Sequence, residues 1–413
     1  MTFRPRSFSI AALLALSMSL LASCGGGDAS SAPAPTGLAV KSAESTATVT
    51  WNMVEGVEYW LFYGPTSTAP TQVSAMSSWI GLVGGASPIK VGSPYVVGAL
   101  ANGTSYSFSV NGRVNGGPGG PGATPVLATP QLAGTTWTVG TPAGTNALKA
   151  AVYGGSYVAA GSNGAIFAST DGSTWTASSY ANTRNWNGGS YFLTYKLVGD
   201  GGAVLTSPDA ATWTLQNSGT TQNLNAIATN GLNLNVAVGA NGTIISSADG
   251  VSWTAAASGT IKTLYGVGYS TFNGGLWMAV GAGGTLLTSP DAITWTAQNS
   301  GTTTDLRDVV LGTNATTATT VFVAVGSGAT ILSSADAVSW TSRAAPALVD
   351  LKSVDYGTQF IAVGAGGNIF KSTDGATWTS SPVAGSTADL NAVIRGNLAY
   401  VAVGAAGTNL LAR

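Results

Sequence analysis

Short runs of alternating apolar and polar residues, separated by glycine-rich turns, cover most of this chain from residue 36 onward. Such period-2 alternation between turn residues is typical of half-buried β-strands. Gly, Thr, Ser, Val and Ala are frequent, and together they favour strands and tight turns over helices. We therefore predict an all-β protein.

The most regular feature is a Trp-Thr pair that recurs at intervals of 38, 38, 40, 42, 45 and 38 residues. A period of this size is typical of a solenoid or a propeller. Each unit reads Trp-Thr, a loop, Leu-x-x-Val, aromatic-Val-Ala-Val-Gly, a glycine-rich turn, an apolar triplet and Ser-x-Asp-(Gly/Ala)-x-(Thr/Ser). Four short strands per unit predict one propeller blade. The tryptophans are Trp137, Trp175, Trp213, Trp253, Trp295, Trp340 and Trp378.

Counting strands predicts seven blades over residues 131–413, with six or eight as the alternatives. The first three strands of the unit occur seven times, but the Trp-initiated strand follows only six of them. The missing copy, Trp137-Thr-Val, precedes the first unit, so we predict that this N-terminal strand completes the last blade. Such closure removes the exposed edges of an open array.

Residues 1–23 predict a signal peptide, since Arg4 and Arg6 precede an apolar stretch too short to span ~30 Å of hydrocarbon. The stretch ends in Leu-Ala-Ser-Cys24, which resembles a bacterial lipobox. The resemblance implies that Cys24 is lipidated and becomes the mature N-terminus, and Gly25 favours the outer membrane. An ordinary secretory signal with an accidental cysteine is the alternative. Residues 24–35 predict a flexible tether.

Residues 36–130 form a second region of short alternating strands. Trp51, Tyr59, Tyr63 and the run Gly-Thr-x-Tyr106-x-Phe108-x-Val resemble a fibronectin type III domain, with Tyr106 in the place of its tyrosine corner. The resemblance implies a small β-sandwich. Such a module is expected to act as a spacer or a weak adhesion unit.

The amino-acid composition excludes several kinds of catalytic and metal-binding site. The 413 residues include no His and one Cys, and the repeat region has no Glu, which excludes His-based general bases, Cys/His zinc sites and disulfides. A net charge of −1 provides no field for nucleic acid. We predict no cofactor, no metal and no nucleic-acid partner.

The Ser-x-Asp motif before six of the tryptophans resembles the Asp-box, or BNR, repeat of sialidases and related propellers. We predict a structural role, because a short Asp can accept backbone N–H bonds within its own turn. The order of residues in the whole unit also resembles that of photosystem II assembly-factor propellers. The resemblance implies a binding scaffold without a catalytic centre, but it does not imply the photosynthetic role. The six carboxylates are Asp171, Asp209, Asp249, Asp291, Asp336 and Asp374.

Each predicted inner strand begins with Leu, or with Trp186 in the second unit, and the residue that follows is polar or amphipathic in all seven units. We predict that these residues form a ring, three of them cationic, near one mouth of a central channel, and we take the ring as a candidate binding site. A merely hydrated channel is the alternative. The seven residues are Lys149, Asn187, Asn225, Tyr265, Arg307, Lys352 and Asn391.

The function that these observations favour is a lipid-anchored, non-catalytic binding scaffold at the cell surface that recognises a protein or a glycan. A structural spacer without a ligand is a further possibility. The competing class is a secreted polysaccharide-active glycoside hydrolase that uses two Asp carboxylates. Six aspartates of the repeat region lie outside the Asp-boxes, and their spacing selects no pair: Asp200, Asp305, Asp308, Asp350, Asp355 and Asp389.

Overall fold

The computed structural model describes residues 31–66, 89–117, 119–397 and 399–413, so Cys24 and the predicted signal peptide lie outside the described residues. The chain divides into two compact units. The first contains residues up to Lys41 together with 48–97 and 105–128, and the second contains 129–413 with two short earlier segments, 42–47 and 98–104. No helix in these described ranges is long and apolar enough to cross a membrane.

The N-terminal region contains two sheets among the described residues, and the larger one is antiparallel. One has three strands, in the order Ala39–Ala43, Thr46–Thr50 and Tyr95–Val97. The other has four, in the order Ile89–Val91, Val57–Pro65, Tyr106–Val114 and Val126–Ala128.

Alternate residues of the two longest strands form the core of the first unit. Tyr59, Leu61, Phe108 and Val110 are all buried. The ring of Tyr59 lies 5.7 Å from that of the buried Trp51. Large aromatic side chains contribute much of the apolar area that so small a unit can bury.

The second unit contains, among the described residues, seven four-stranded antiparallel sheets, which we number 1 to 7 from the N-terminus of the repeats. Each sheet runs from an inner strand through a second and a third strand to an outer strand. The inner strands are Leu148–Tyr153, Trp186–Phe192, Leu224–Thr229, Leu264–Ser270, Leu306–Thr313, Leu351–Tyr356 and Leu390–Arg395.

The second strands carry the apolar Val-Ala-Val-Gly pattern and are largely buried. They are Tyr157–Gly161, Thr194–Gly199, Asn235–Gly239, Leu276–Gly281, Thr320–Gly326, Phe360–Gly364 and Tyr400–Gly404. Short turns connect them to the third strands, and in six sheets this turn is a 3₁₀ helix: Ser162–Gly164, Asp200–Gly202, Ala240–Gly242, Ala282–Gly284, Ala365–Gly367 and Ala405–Gly407. A further 3₁₀ helix, Phe272–Gly274, joins the first two strands of sheet 4.

The third strands are short apolar segments, and those of sheets 1 to 6 end in the Ser-x-Asp motif. They are Ile166–Ser169, Val204–Ser207, Ile244–Ser247, Leu286–Ser289, Ile331–Ser334, Ile369–Ser372 and Asn409–Ala412. The outer strands of sheets 1 to 6 begin directly after the repeated Trp: Thr176–Ala177, Thr214–Gln216, Thr254–Ala256, Thr296–Ala297, Thr341–Arg343 and Thr379–Ser380. The outer strand of sheet 7 is Thr138–Val139, from the start of the unit, which pairs with Leu410 and Leu411.

Each inner strand packs against the inner strand of the next sheet, and that of sheet 7 packs against that of sheet 1. The apolar core lies between neighbouring sheets; Val323 and Val325 of sheet 5, for example, share a cluster with Phe360 and Phe370 of sheet 6. We call the face where the inner strands begin the upper face. The turns that carry the Ser-x-Asp motif lie on the opposite, lower face.

One glycine in each sheet is required because two strands approach each other closely at that point. The last residue of every second strand is Gly, with extended backbone, opposite the Leu or Trp that begins the inner strand. A Cβ on Gly326 would lie 2.0 Å from the carbonyl oxygen of Asp305, and the other six sheets show the same contact at 1.9–2.2 Å. The Gly of the Val-Ala-Val-Gly pattern therefore brings the inner strand against the second strand directly below the upper face.

Candidate functional site

The inner strands of all seven sheets enclose one cavity of about 470 Å³. The seven residues singled out by the repeat alignment all line this cavity. Each follows the first residue of an inner strand, which is fully buried in every sheet. The ring of these seven side chains, which we call the upper ring, therefore surrounds the mouth of the cavity on the upper face.

A β-bulge in each sheet places the ring side chain. Leu306 is opposite Gly326 and Asp308 is opposite Val325, so Arg307 is an extra residue without a partner on the second strand. The same shift occurs at the ring position of the other six sheets. A bulge bends the strand and turns a side chain away from the sheet. The bulge thus explains why a polar residue is tolerated between two buried positions.

The three asparagines of the ring connect neighbouring sheets. Asn187 Nδ2 donates to the carbonyl of Leu224 at 3.1 Å, Asn225 Nδ2 to that of Leu264 at 2.8 Å, and Asn391 Nδ2 to that of Leu148 at 2.7 Å. Each amide satisfies a carbonyl at the start of the next inner strand. These asparagines therefore stabilise the contacts between sheets, whatever else the ring does.

Two of the three ring cations have carboxylate partners. Lys352 Nζ lies 2.8 Å from Asp389 Oδ2, and this bond lowers the pKa of Asp389. Arg307 lies 3.1 Å from Asp305, and its guanidinium stacks 4.2 Å above the ring of Tyr265.

Lys149 differs from the other two cations. Its Nζ donates to Asn187 Oδ1 at 3.3 Å, and none of the salt bridges among the described residues includes it. The charge of Lys149 is therefore the least neutralised in the ring.

The surface around the ring is apolar in two places. Ile261 and Leu348 are each 87% exposed, and both lie in loops that lead into inner strands on the upper face. Two further cations, Arg184 and Lys262, bond there only to carbonyl oxygens, those of Asp200 and Gly283. The upper face thus combines exposed aliphatic side chains with a cationic cavity mouth.

Two aspartates that sequence spacing could not pair lie together in the cavity wall. Asp308 and Asp355 belong to the inner strands of sheets 5 and 6 and both line the cavity. Burial raises the pKa of Asp308 to about 6 and that of Asp355 to about 7, against hydrogen bonds that lower both. The remaining candidates, Asp200, Asp305, Asp350 and Asp389, lie just before or beside the ring and bond to turns or ring side chains.

The six carboxylates of the Ser-x-Asp motif lie in separate turns on the lower face and do not converge. In every copy, Asp Oδ1 accepts two backbone N–H bonds of 2.7–2.9 Å from its own turn and the Ser hydroxyl at 2.8–3.0 Å. Backbone hydrogen bonds lower the pKa of Asp209, Asp249 and Asp336 to about 2. In this geometry the carboxylates stabilise the turns.

The tryptophans that follow these turns also contact them. Trp253, Trp295 and Trp340 donate their indole N–H to the carbonyl three residues earlier, at 3.2–3.3 Å. Trp137, Trp213 and Trp378 are buried, and the other four are partly buried. Within the described part of the chain, no cluster of three or more acidic, His or Cys side chains could hold a metal ion.

Solved structures establish the fold of the second unit. "YCF48 bound to D1 peptide" matches with a TM-score of 0.56 and 18% identity over 67% of this chain and 94% of that one. YCF48 from Cyanidioschyzon merolae matches with 0.54 and 17% identity over 67% and 99%, and the WD40 β-propeller domain of Doa1 with 0.55 and 9% identity over 68% and 97%. The chain contains a β-propeller.

The propeller is similar to these proteins in fold alone, because every identity is below 20%. No protein-family model matches the chain, and no curated protein matches it. The all-β prediction and the propeller prediction are confirmed.

Proposed function

We propose that this protein is a lipid-anchored, non-catalytic scaffold of the bacterial cell envelope whose propeller binds a segment of a partner protein on its upper face. The upper ring carries this proposal: seven polar side chains, three of them cationic, meet at the mouth of one cavity. We further infer that the seven sheets are the blades of one closed propeller with Asp-box turns, and that residues 36–130 are a fibronectin type III domain.

A protein partner is favoured over a glycan by two observations. One similar propeller structure, YCF48, contains a bound D1 peptide. On this chain, the exposed Ile261 and Leu348 flank the ring, and exposed aliphatic side chains around a polar centre suit a protein surface. Lys149, which has no carboxylate partner, is the ring cation most available to an acidic group of the partner.

The test is capture of partners by the full-length protein in detergent, with cross-linking and mass spectrometry of cell-envelope proteins alongside a glycan array. The triple variant Lys149→Ala, Arg307→Ala, Lys352→Ala should lose at least about tenfold in affinity, as expected for about 1.4 kcal/mol or more. The matched control, Arg343→Ala, Lys371→Ala, Arg413→Ala, removes three cations outside the ring and should bind like the wild type. Equal binding by both triple variants would exclude the ring, and binding only to glycans would exclude a protein partner.

Lipid anchoring has its own test. Metabolic labelling with a palmitate analogue should modify the wild-type protein, and the label should be absent from Cys24→Ala. Membrane fractionation should then find the variant in the soluble envelope fraction, since stable attachment needs the acyl chains. A wild-type protein that carries no label would show that Cys24 is not an anchor.

The second candidate function, glycoside hydrolysis, is favoured by one observation. Asp308 and Asp355 line the same cavity, and burial raises the pKa of both, as a glycosidase requires of its general acid but not of the carboxylate that serves as base or nucleophile. Turnover of a chromogenic polysaccharide by the wild type, reduced 100-fold or more in Asp308→Asn and in Asp355→Asn, would establish an enzyme. Absence of turnover across a substrate panel supports the scaffold.

A further inference from the structure

Below the upper ring, the cavity wall carries charged side chains at one place only. Asp308 is the third residue of its inner strand and Asp355 is the fifth. At these two positions the other inner strands have small or apolar residues: Ala150, Gly188, Ala226, Gly266, Ser353 and Ala392 at the third, and Val152, Ser190, Ala228, Gly268, Val310 and Ile394 at the fifth. The fold of the repeated unit therefore does not require a carboxyl group at either position.

Neither carboxyl group forms an ion pair among the described residues. Asp308 Oδ2 accepts bonds from Ser353 Oγ and from the backbone N–H of Val354, both at 3.0 Å. Asp355 Oδ2 accepts the backbone N–H of Arg395. Both residues are partly buried. The cation that faces Asp355 is Arg395, which lowers the pKa of Asp355 against the effect of burial, but its guanidinium is paired with Glu44 at 2.7 Å.

A third polar group in the same wall also lacks a partner. Ser190 is the fifth residue of the inner strand in sheet 2, on the far side of the cavity from sheet 6. Its side chain is buried, with 9% of the residue exposed, and its hydroxyl has no hydrogen-bond partner. The hydroxyl faces the cavity and is free to bond to a group bound there.

We propose that the cavity binds a small zwitterion whose ammonium group lies beside Asp308 and Asp355 and whose anionic group is held by the cations of the upper ring. The ring position is one residue above Asp308 and three above Asp355, a span of roughly 3–10 Å along an inner strand at ~3.3 Å per residue. That span matches the distance between the charges of a short ω-amino carboxylate. A cavity of about 470 Å³ is within the usual size range of small-molecule sites.

The ionisation of the wall supports this ligand. The other titratable side chains that line the cavity are the ring cations and four tyrosines, Tyr265 at the mouth and Tyr153, Tyr191 and Tyr269 towards the lower end. An ammonium group beside Asp308 and Asp355 would favour their charged forms, whose pKa values burial has raised. Binding near pH 6.5 should therefore release protons. The inference goes beyond the proposed function and shares only the ring cations with it.

The test is isothermal titration calorimetry of the full-length protein at pH 6.5 in two buffers of different ionisation enthalpy. The probes are 4-aminobutyrate and 6-aminohexanoate, with hexanoate and hexylamine as controls that each carry one charge. We expect at least one ω-amino acid to bind tenfold or more tightly than both controls, with proton release. The variant Asp308→Asn, Asp355→Asn should lose tenfold or more in affinity, together with the proton release.

Two further variants separate binding from folding. Ser190→Ala removes one hydroxyl and should weaken binding two- to fivefold, whereas Asp350→Asn, in a loop outside the cavity, should bind like the wild type. If both ω-amino acids bind no more tightly than the single-charge controls, or if the double Asn variant binds them equally well, the proposal is wrong. The double Asn variant should still capture the partner protein through the ring, so failure of this site does not imply failure of the proposed function.

Discussion

Individual residues that depart from the repeat are the most informative side chains of the propeller. In sheets 1, 2 and 7 the first aromatic residue of the second strand donates its hydroxyl to a carbonyl in the preceding sheet, as Tyr195 does to Ser156 at 3.0 Å. Asn235 occupies this position in sheet 3 and is too short for the same bond. In the neighbouring sheet, the buried Lys196 Nζ donates to the equivalent carbonyl, that of Thr194, at 3.2 Å. Lys196 therefore replaces the missing tyrosine hydroxyl.

This compensation predicts strong coupling between Lys196 and Asn235. Lys196→Val alone should destabilise the protein because the carbonyl of Thr194 loses its donor, and Asn235→Tyr alone should crowd the lysine. The double variant restores the repeat and should be more stable than either single variant, with a coupling energy of about 1–3 kcal/mol. Urea unfolding of the four proteins measures this cycle. Additive effects of the two changes would show that the residues do not compensate for each other.

The buried carboxyl groups predict an unusual dependence of stability on pH. Burial raises the pKa of Asp355 from 3.8 to about 7, so between these pH values the folded state holds a proton that the unfolded state has released. The contribution of this group to stability is therefore present below pH 4 and is lost as the pH rises to about 7. Asp355→Asn cannot ionise, and its Tm relative to the wild type should rise by at least ~2 °C between pH 5 and pH 8.

An Asp-box variant is the control for that experiment. Backbone hydrogen bonds lower the pKa of Asp249 to about 2, so it is ionised in both states between pH 5 and pH 8. Asp249→Asn should differ from the wild type by the same Tm at both pH values. A Tm difference for Asp355→Asn that does not change with pH would contradict the raised pKa.

At the scale of the structural element, the third strand of sheet 7 contains one unfavourable residue. Asn409 is 1% exposed, and neither atom of its amide has a hydrogen-bond partner among the described residues. The other six third strands have an aliphatic residue at this position: Ile166, Val204, Ile244, Leu286, Ile331 and Ile369. A buried amide without partners costs about 1–3 kcal/mol.

We therefore expect Asn409→Leu, whose side chain has the same number of heavy atoms and the same branch point, to raise the free energy of unfolding by about 1–3 kcal/mol. Chemical denaturation measures the gain. Asn409→Asp, which would bury a charge at the same place, should lower stability instead. A loss of stability in Asn409→Leu would show that the amide has a partner in solution, such as a water molecule.

At the scale of the whole molecule, the short strand Thr138–Val139 joins the start of the second unit to its end. The preceding Trp137 is 7% exposed and packs in one cluster with Tyr400 and Ile361 of sheets 7 and 6. In a closed propeller, loss of this contact exposes the edges of two blades at once. The contact should therefore affect the stability of every sheet, including those distant in sequence.

Trp137→Ala should accordingly lower the free energy of unfolding by about 3–5 kcal/mol while unfolding remains a single transition. The matched control, Trp253→Ala, removes a partly buried Trp from the interior of the array and should cost less. Differential scanning calorimetry distinguishes the outcomes. A separate early transition for sheet 7 in Trp137→Ala would indicate sheets that fold independently rather than a closed ring.

The sequence by itself determined the periodic part of this structure. The regular spacing of Trp and Leu located the beginning of every inner strand. Each sheet buries the same apolar positions against its neighbours, so the same residues recur at the same places in every unit. The same register singled out the upper ring, because a polar residue between two buried positions stands out in an alignment of seven units. The local bonding of the Asp-box was also predictable, since Ser, Asp and the turn lie within a few residues.

Only the tertiary structure decided the contacts that depend on distance between sheets. Asp308 and Asp355 are 47 residues apart, and Lys196 and Asn235 are 39 apart, so no local pattern links either pair. How the residues of each pair are related depends on which face of one sheet packs against the next, and on β-bulges that no propensity specifies. The ion pair between Lys352 and Asp389 likewise joins residues of different sheets. The sequence repeat determines the strands and their order within each sheet, whereas each side-chain contact between sheets follows from packing in three dimensions.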